Sequence, residues 1–157
     1  MVTLVPMPAN SNKPDEEAGD GTIATSLARA EKAVANLARD YATWALVDVA
    51  KARTALAAAN DDLAGRGQHV EALFRIGHDL KGQGSSFGFP LVTKIGHSLC
   101  ALTRNRARGY ESRDLDLAKS HLDALDLILT KGIKGEGGKV GADLVAKLES
   151  RVAELLG

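Results

Sequence analysis

Apolar residues recur at helical spacing through most of this chain, and no stretch alternates apolar and polar residues as a β-strand does. A repeat of three or four residues places its apolar side chains on one face of a helix. The spacing predicts core helices over about 40–131 and accessory helices over about 22–38 and 140–156. We therefore predict an all-α fold: an antiparallel four-helix bundle with an extra N-terminal and an extra C-terminal helix.

Length and composition predict one domain, residues 21–157, behind a disordered tail, residues 1–20, which holds three of the four prolines. The net charge of zero argues against a nucleic-acid partner, which calls for a basic excess. No apolar run approaches the roughly 20 residues of a membrane span, and the N-terminus lacks the pattern of a secretory leader. With one cysteine, and hence no internal disulfide, we expect a cytoplasmic protein without membrane contact.

His78 is the most informative single residue. On a wheel at 100° per residue it falls opposite the apolar arc of its own helix, so its imidazole points away from the core. Lys81 and Gly82 share its face. The apolar arc consists of Leu73, Ile76, Leu80 and Phe87.

Glycines are unusually frequent around His78. Each glycine inside a helix costs roughly 1 kcal/mol relative to alanine. Gly77, Gly82 and Gly84 therefore need a compensating reason, and the close approach of another molecule is the one we expect.

The string His78-x-x-Lys81-Gly82, followed by Phe87-Gly88-Phe89, resembles the active helix of histidine-containing phosphotransfer (HPt) domains. It is especially similar to the phosphoryl-accepting P1 domain of chemotaxis histidine kinases. The resemblance is specific over residues 74–104 and extends loosely, as helix lengths, over about 35–130.

The chemotaxis variant carries a second histidine on the next helix, and His97 stands at the matching place. A glutamate usually follows that histidine by three residues and bonds toward the active ring. Here that place is Cys100, whose thiol is a poor acceptor. From its residue type alone, we expect Cys100 to be buried and to pack as a small apolar residue.

The resemblance implies a role for each residue of the motif. His78 would accept the phosphoryl group, Lys81 would neutralise its charge, Gly82 would keep the nitrogen accessible, and His97 would support the active ring. The partners would be response-regulator receiver domains and a hybrid or sensor histidine kinase. Because a receiver domain brings its own Mg²⁺, we expect no cofactor and no metal in this chain.

Four residues near His78 are candidates for partner binding, since exposed aromatic groups beside a reactive side chain often mark an interface. Phe74 would contribute to an apolar docking patch, or else pack against a neighbouring helix. The other three candidates are Arg75, Ser85 and Phe89.

The positions of the remaining two histidines, His69 and His121, do not indicate a functional site. His69 lies at the start of its helix and His121 at the edge of an apolar stripe. Di-iron bundles use Glu-x-x-His pairs, but no acidic residue stands three places before any histidine here, so a metal site is not expected.

Two other functions remain open. The chain could be a helical adaptor that binds a receiver or kinase domain without accepting phosphate. It could also be a scaffold whose first apolar stripe joins two copies, although that stripe could equally pack on the bundle, and we expect a monomer rather than a dimer. The stripe consists of Ile23, Leu27, Ala30, Val34, Leu37 and Tyr41.

Overall fold

The computed structural model describes the backbone of residues 16–104 and 106–157, and side chains from residue 21 onward. This part of the chain contains helices and no strand, which confirms the all-α prediction. The helices are α1 (Glu16–Asp61), α2 (Arg66–Gln83), α3 (Pro90–Thr103), α4 (Ser112–Lys131) and α5 (Gly138–Leu156), with a single 3-10 turn at Ser85–Phe87. None of them is both long and apolar enough to cross a bilayer.

The chain divides into two compact units, residues 1–36 and residues 37–157, and α1 contributes to both. In the first unit, every side chain described from Gly21 to Asn36 is exposed except that of Ala35, which is half-buried. Most of the tail predicted for residues 1–20 lies outside the described residues. Helix α1 nevertheless begins within it, at Glu16.

The predicted break between helices at 22–38 and about 40 onward is wrong, because α1 continues without interruption to Asp61. The physical reason is that residues 22–61 contain neither glycine nor proline and are rich in alanine, the strongest helix former. The accessory N-terminal helix is therefore the beginning of the first bundle helix.

In the second unit, α1 from Leu37 onward, α2, α3 and α4 form an antiparallel bundle around one core. The pairing of α2 with α3 shows the direction: Ser85 lies beside Thr93 at one end, and Phe74 lies beside Cys100 toward the other. The largest fully buried side chains are Tyr41, Phe89, Leu73, Leu80, Leu91, Ile95, Leu99, Leu102, Leu122, Leu125, Ile128 and His121.

Helix α5 is the extra C-terminal helix, and it packs on α3 and α4. The residue that precedes it, Gly137, meets Leu91, since a Cβ atom on Gly137 would stand 2.7 Å from the Leu91 Cδ1 atom. At its other end, Arg108 donates to the carbonyl of Leu155 at 3.2 Å. Helix α5 therefore runs parallel to α3.

A capping box precedes helix α4, which begins at Ser112. The cap is Glu111, whose side chain accepts from the backbone N–H of Asp114 while the Asp114 carboxylate accepts from the Glu111 N–H at 2.7 Å. Asp114 is buried and pairs with Arg106 at 3.0 Å, so this capping box also holds the preceding loop.

Candidate functional site

His78 stands on the solvent side of α2, as the helical wheel predicts. Its side chain is 66 % exposed. The Nδ1 atom lies 4.0 Å from a carboxylate oxygen of Asp79, too far for a hydrogen bond but close enough for attraction. The ring of Phe74, one turn earlier, lies 6.2 Å away between centroids. The imidazole is therefore open to an approaching partner over most of its surface.

Directly behind His78, α3 lies against the backbone of α2. A Cβ atom on Gly96 would stand 2.9 Å from the Lys81 amide nitrogen and 3.1 Å from the Gly77 carbonyl oxygen. Any larger residue at position 96 would force the two helices apart. The sequence reasoning missed Gly96, although a glycine in the middle of an otherwise apolar helix was a usable signal.

Internal packing explains two of the three glycines around His78, so the expectation that all of them admit another molecule is wrong. A Cβ atom on Gly77 would stand 3.3 Å from Leu99, and one on Gly84 would stand 2.9 Å from the carbonyl oxygen of Phe89. Gly82 differs, because it is exposed and a Cβ atom there would meet nothing within 4 Å. Only Gly82 is placed to ease access from outside.

Lys81 is half-buried on α2, one turn after His78. Within the described part of the chain it forms no ion pair or hydrogen bond, so its ammonium group is not committed to another side chain.

Phe89 is not a partner-binding residue, which corrects the sequence prediction. Its side chain is 1 % exposed and packs against Tyr41, with ring centroids 5.8 Å apart. Phe87 is half-buried and stacks on the ring of the same tyrosine, with centroids 4.7 Å apart. The Phe87-Gly88-Phe89 run therefore closes one end of the core.

The other three docking candidates remain at the surface. Phe74 is half-buried, and Arg75 is exposed and pairs with Glu71 at 2.8 Å. Ser85 is exposed, and both its amide and its hydroxyl group bond to the Thr93 hydroxyl, at 2.8 and 2.9 Å. All three lie on α2 or the turn after it, on the same side of the bundle as His78.

Phe74 also lines one end of a groove of about 1100 Å³ that sequence reasoning missed. Arg104 lies in this groove, is exposed, and forms no ion pair in the described part of the chain. The clustering of arginines at 104, 106 and 108 was the available signal. Acidic residues line the groove as well, namely Asp62 and Glu71.

His97 and Cys100 do not form a polar bridge to His78. His97 is exposed and lines a shallow depression with Leu156 of α5, and it makes no hydrogen bond within the described residues. Cys100 is buried, and its thiol points to the carbonyl oxygen of Phe74 at 3.8 Å. Burial raises the pKa of the thiol, while Lys81 opposes that shift. The sulfur therefore stays protonated and packs against α2.

The two remaining histidines have structural partners. His69 Nε2 lies 3.1 Å from Asp62, at the start of α2. His121 is fully buried: its Nδ1 lies 2.7 Å from the Leu117 carbonyl and its Nε2 lies 2.8 Å from the Ser98 hydroxyl. Because a carbonyl only accepts, Nδ1 carries the proton and Nε2 accepts from Ser98. Burial lowers the pKa of this imidazole.

Across the described residues, no three side chains of His, Cys, Asp or Glu come together in a way that could hold a metal ion.

The family model of the Hpt domain matches residues 25–130, about two thirds of the chain. The match takes in most of α1, all of α2 and α3, and α4 except its last residue, and it ends before α5. The chain therefore belongs to the Hpt domain family, whose members carry out histidine phosphotransfer. No curated protein and no solved structure gives a match.

Proposed function

We propose that this protein accepts a phosphoryl group on His78 and exchanges it with aspartates of response-regulator receiver domains in a phosphorelay. The observation that carries the proposal is the 66 % exposure of the His78 side chain on a helix whose backbone is held against α3 at Gly96. Burial does not explain an imidazole in this position, whereas transfer to a visiting aspartate does.

The nucleophile is Nε2 of the neutral imidazole. Since Nδ1 lies 4.0 Å from the Asp79 carboxylate, we assign the proton to Nδ1 and the reactive lone pair to Nε2. That lone pair attacks the phosphorus of an aspartyl phosphate as the bond to the aspartate oxygen breaks. The bonding electrons leave with the carboxylate, and the reverse step returns the group.

Lys81 and Gly82 assist from the same face of α2. The uncommitted ammonium group of Lys81 offsets charge on the phosphoryl oxygens, and phosphoryl transfer depends mainly on positioning and such charge neutralisation. Open space at Gly82 leaves the approach to His78 clear.

The docking surface consists of Phe74, Arg75 and Ser85 around His78, with Arg104 at the end of the adjoining groove. The aromatic edge of Phe74 supplies apolar contact. Arg104, which forms no ion pair in the described part of the chain, supplies positive charge toward the acidic metal site of a receiver domain, whereas Glu71 offsets the charge of Arg75.

A supporting role for His97 rests on the family resemblance and on its exposed position on α3. Its contribution would be electrostatic or would come through the docked partner, since it makes no bond to His78. The proposal places Mg²⁺ in the receiver domain, with no cofactor in this chain, and places the protein in the cytoplasm together with receiver domains and a hybrid or sensor histidine kinase.

The decisive experiment supplies phosphorylated receiver domains, or a kinase core, and seeks acid-labile, base-stable label on this protein. We expect the parent to take up label and His78→Gln to take up none. The matched control is His69→Gln, the same exchange on the same helix, which should label like the parent. Equal labelling of His78→Gln would disprove the assignment.

The same samples separate the relay from an adaptor. An unlabelled parent that still binds the receiver domain would identify a helical adaptor. Labelling that His78→Gln abolishes, without loss of receiver binding, would identify the relay.

A further inference from the structure

Residues 80–110 contain no aspartate and no glutamate, although the whole chain carries equal numbers of acidic and basic residues. This segment covers the end of α2, the 3-10 turn and all of α3, and it stops just before α4. Besides His97, its basic residues are Lys81, Lys94, Arg104, Arg106 and Arg108. Positive charge is therefore concentrated in one stretch of a chain whose net charge is zero.

Ion pairs within the protein neutralise three of these five basic side chains. Each of the three meets a carboxylate outside the segment, at the start of α4 or in the loop before α5. The pairs are Lys94 with Glu136 at 2.5 Å, Arg106 with Asp114 at 3.0 Å and Arg108 with Glu111 at 3.6 Å. Lys81 and Arg104 form no ion pair in the described part of the chain, so their charges remain available to a partner.

Lys81 and Arg104 approach the surroundings of His78 from opposite ends of α2. Lys81 lies one turn after His78, and Arg104 lines the groove that ends at Phe74, one turn before it. Burial raises the pKa of the Cys100 thiol behind α2, and both cations oppose that shift, so both act on the same part of the contact between α2 and α3. The imidazole thus has an unpaired cation toward each side along its helix.

His97 extends the basic surface along the solvent side of α3. It is exposed and shares a shallow depression with Arg104, which lies two turns further along the chain. The acidic residues beside the proposed phosphoacceptor and in the adjoining groove, Asp62, Glu71 and Asp79, all lie outside α3. We call Lys81, His97 and Arg104 the basic face.

We propose that the basic face is an electrostatic docking surface for the acidic surroundings of the aspartate in a receiver domain. The inference rests on the proposed function and deepens it, because it identifies the property by which the partner is selected. A partner that holds Mg²⁺ beside an aspartyl phosphate presents carboxylate and phosphoryl oxygens there. Charge complementarity of this kind chiefly raises the association rate and disfavours partners of like charge.

Stopped-flow measurements with fluorescently labelled receiver domains test association of the full chain without requiring phosphotransfer. We expect the association rate constant of the parent to fall about tenfold between about 0.02 M and about 0.3 M salt, because salt screens the attraction. Arg104→Glu should lower the constant about tenfold at low salt and weaken its dependence on salt. The matched control is Arg151→Glu, the same exchange in the groove between α4 and α5, which should retain most of the parent's rate.

The outcomes separate the basic face from the proposed function. A rate constant that does not change with salt in the parent, or equal constants for Arg104→Glu and Arg151→Glu, would overturn the basic face and leave any labelling of His78 standing. Association that depends on Arg104, without label on His78, would support the basic face and overturn the phosphotransfer. Absence of association with every receiver domain tested would overturn both. Circular dichroism serves as the folding control for each variant.

Discussion

Gly96 of α3 and Lys81 of α2 meet backbone to backbone. A Cβ atom on Gly96 would lie 2.9 Å from the Lys81 amide nitrogen, with no side chain between the helices at this point. The contact lies one turn from His78 and fixes the part of α2 that carries the proposed acceptor and its cation.

We predict that Gly96→Ala destabilises the protein by about 1–3 kcal/mol, the usual cost of overpacking a tight contact. Urea unfolding followed by circular dichroism measures the change. The matched control is Gly82→Ala on the facing helix, where the added methyl group meets nothing. The free energy of unfolding of Gly82→Ala should increase by about 0.5–1 kcal/mol, because alanine has the higher helix propensity. Equal effects of the two substitutions would contradict the contact.

Lys81→Ala should slow phosphotransfer on the order of tenfold while leaving the fold intact, because a half-exposed cation acts through partly screened charge. Rapid-quench kinetics with a phosphorylated receiver domain measure the rate. Lys139→Ala, which removes a lysine from the exposed start of α5, should leave the rate unchanged. If Lys81→Ala transfers as fast as the parent, Lys81 has no part in the mechanism.

We predict that the free energy of unfolding of the protein decreases in mild acid because of His121. Burial holds its folded-state pKa below the ordinary value of 6.5, so the unfolded chain binds the proton more readily. The stabilising contribution is complete above pH 6.5 and decreases below it, by at most about 1.4 kcal/mol per pH unit. Urea unfolding at pH 7.5 and at pH 5.5 measures the free energy of unfolding at each pH. The decrease between the two pH values should be smaller for His121→Gln than for the parent. An equal decrease in the variant and the parent would contradict the role of His121.

Tyr41→Phe should stabilise the protein by about 1 kcal/mol, because the buried Tyr41 hydroxyl has no hydrogen-bond partner among the described residues. The ring stack on Phe87 survives the change. Burial, helped by Asp48, raises the pKa of this phenol from 10.0 to about 12. Parent stability should therefore fall between pH 10 and pH 12, as the unfolded chain ionises first, and the variant should lack that part of the loss. Thermal unfolding at neutral and alkaline pH measures both effects.

Helical periodicity predicted the exposure of His78 because that residue lies inside a regular helix, where 100° per residue holds. The same rule failed at Phe89. The chain leaves α2 at Gln83, and Gly88 adopts a left-handed conformation with φ of 88°, so the direction of Phe89 depends on the turn. Periodicity has no information about a residue beyond such a turn.

Two further features, the requirement for glycine at position 96 and the burial of Cys100, depend on contacts between helices. The apolar stripe of one helix does not predict such contacts. The glycine requirement at position 96 comes from the backbone of α2, and Cys100 faces a carbonyl of α2. The unbroken α1 was predictable in principle, since residues 22–61 hold no helix breaker. An apolar stripe reflects what a helix packs against and not whether the helix is continuous, so it does not locate a break.

The backbone contact at Gly96 also bears on association with a partner. Where two helices touch through their main chains, no layer of side chains can rearrange between them, so the face around His78 is preorganised. An incoming domain then loses little entropy in ordering its target, and the encounter can be brief and still productive. Under the proposed function, a protein that passes its phosphoryl group to a second partner soon after accepting it from the first gains turnover from such a surface.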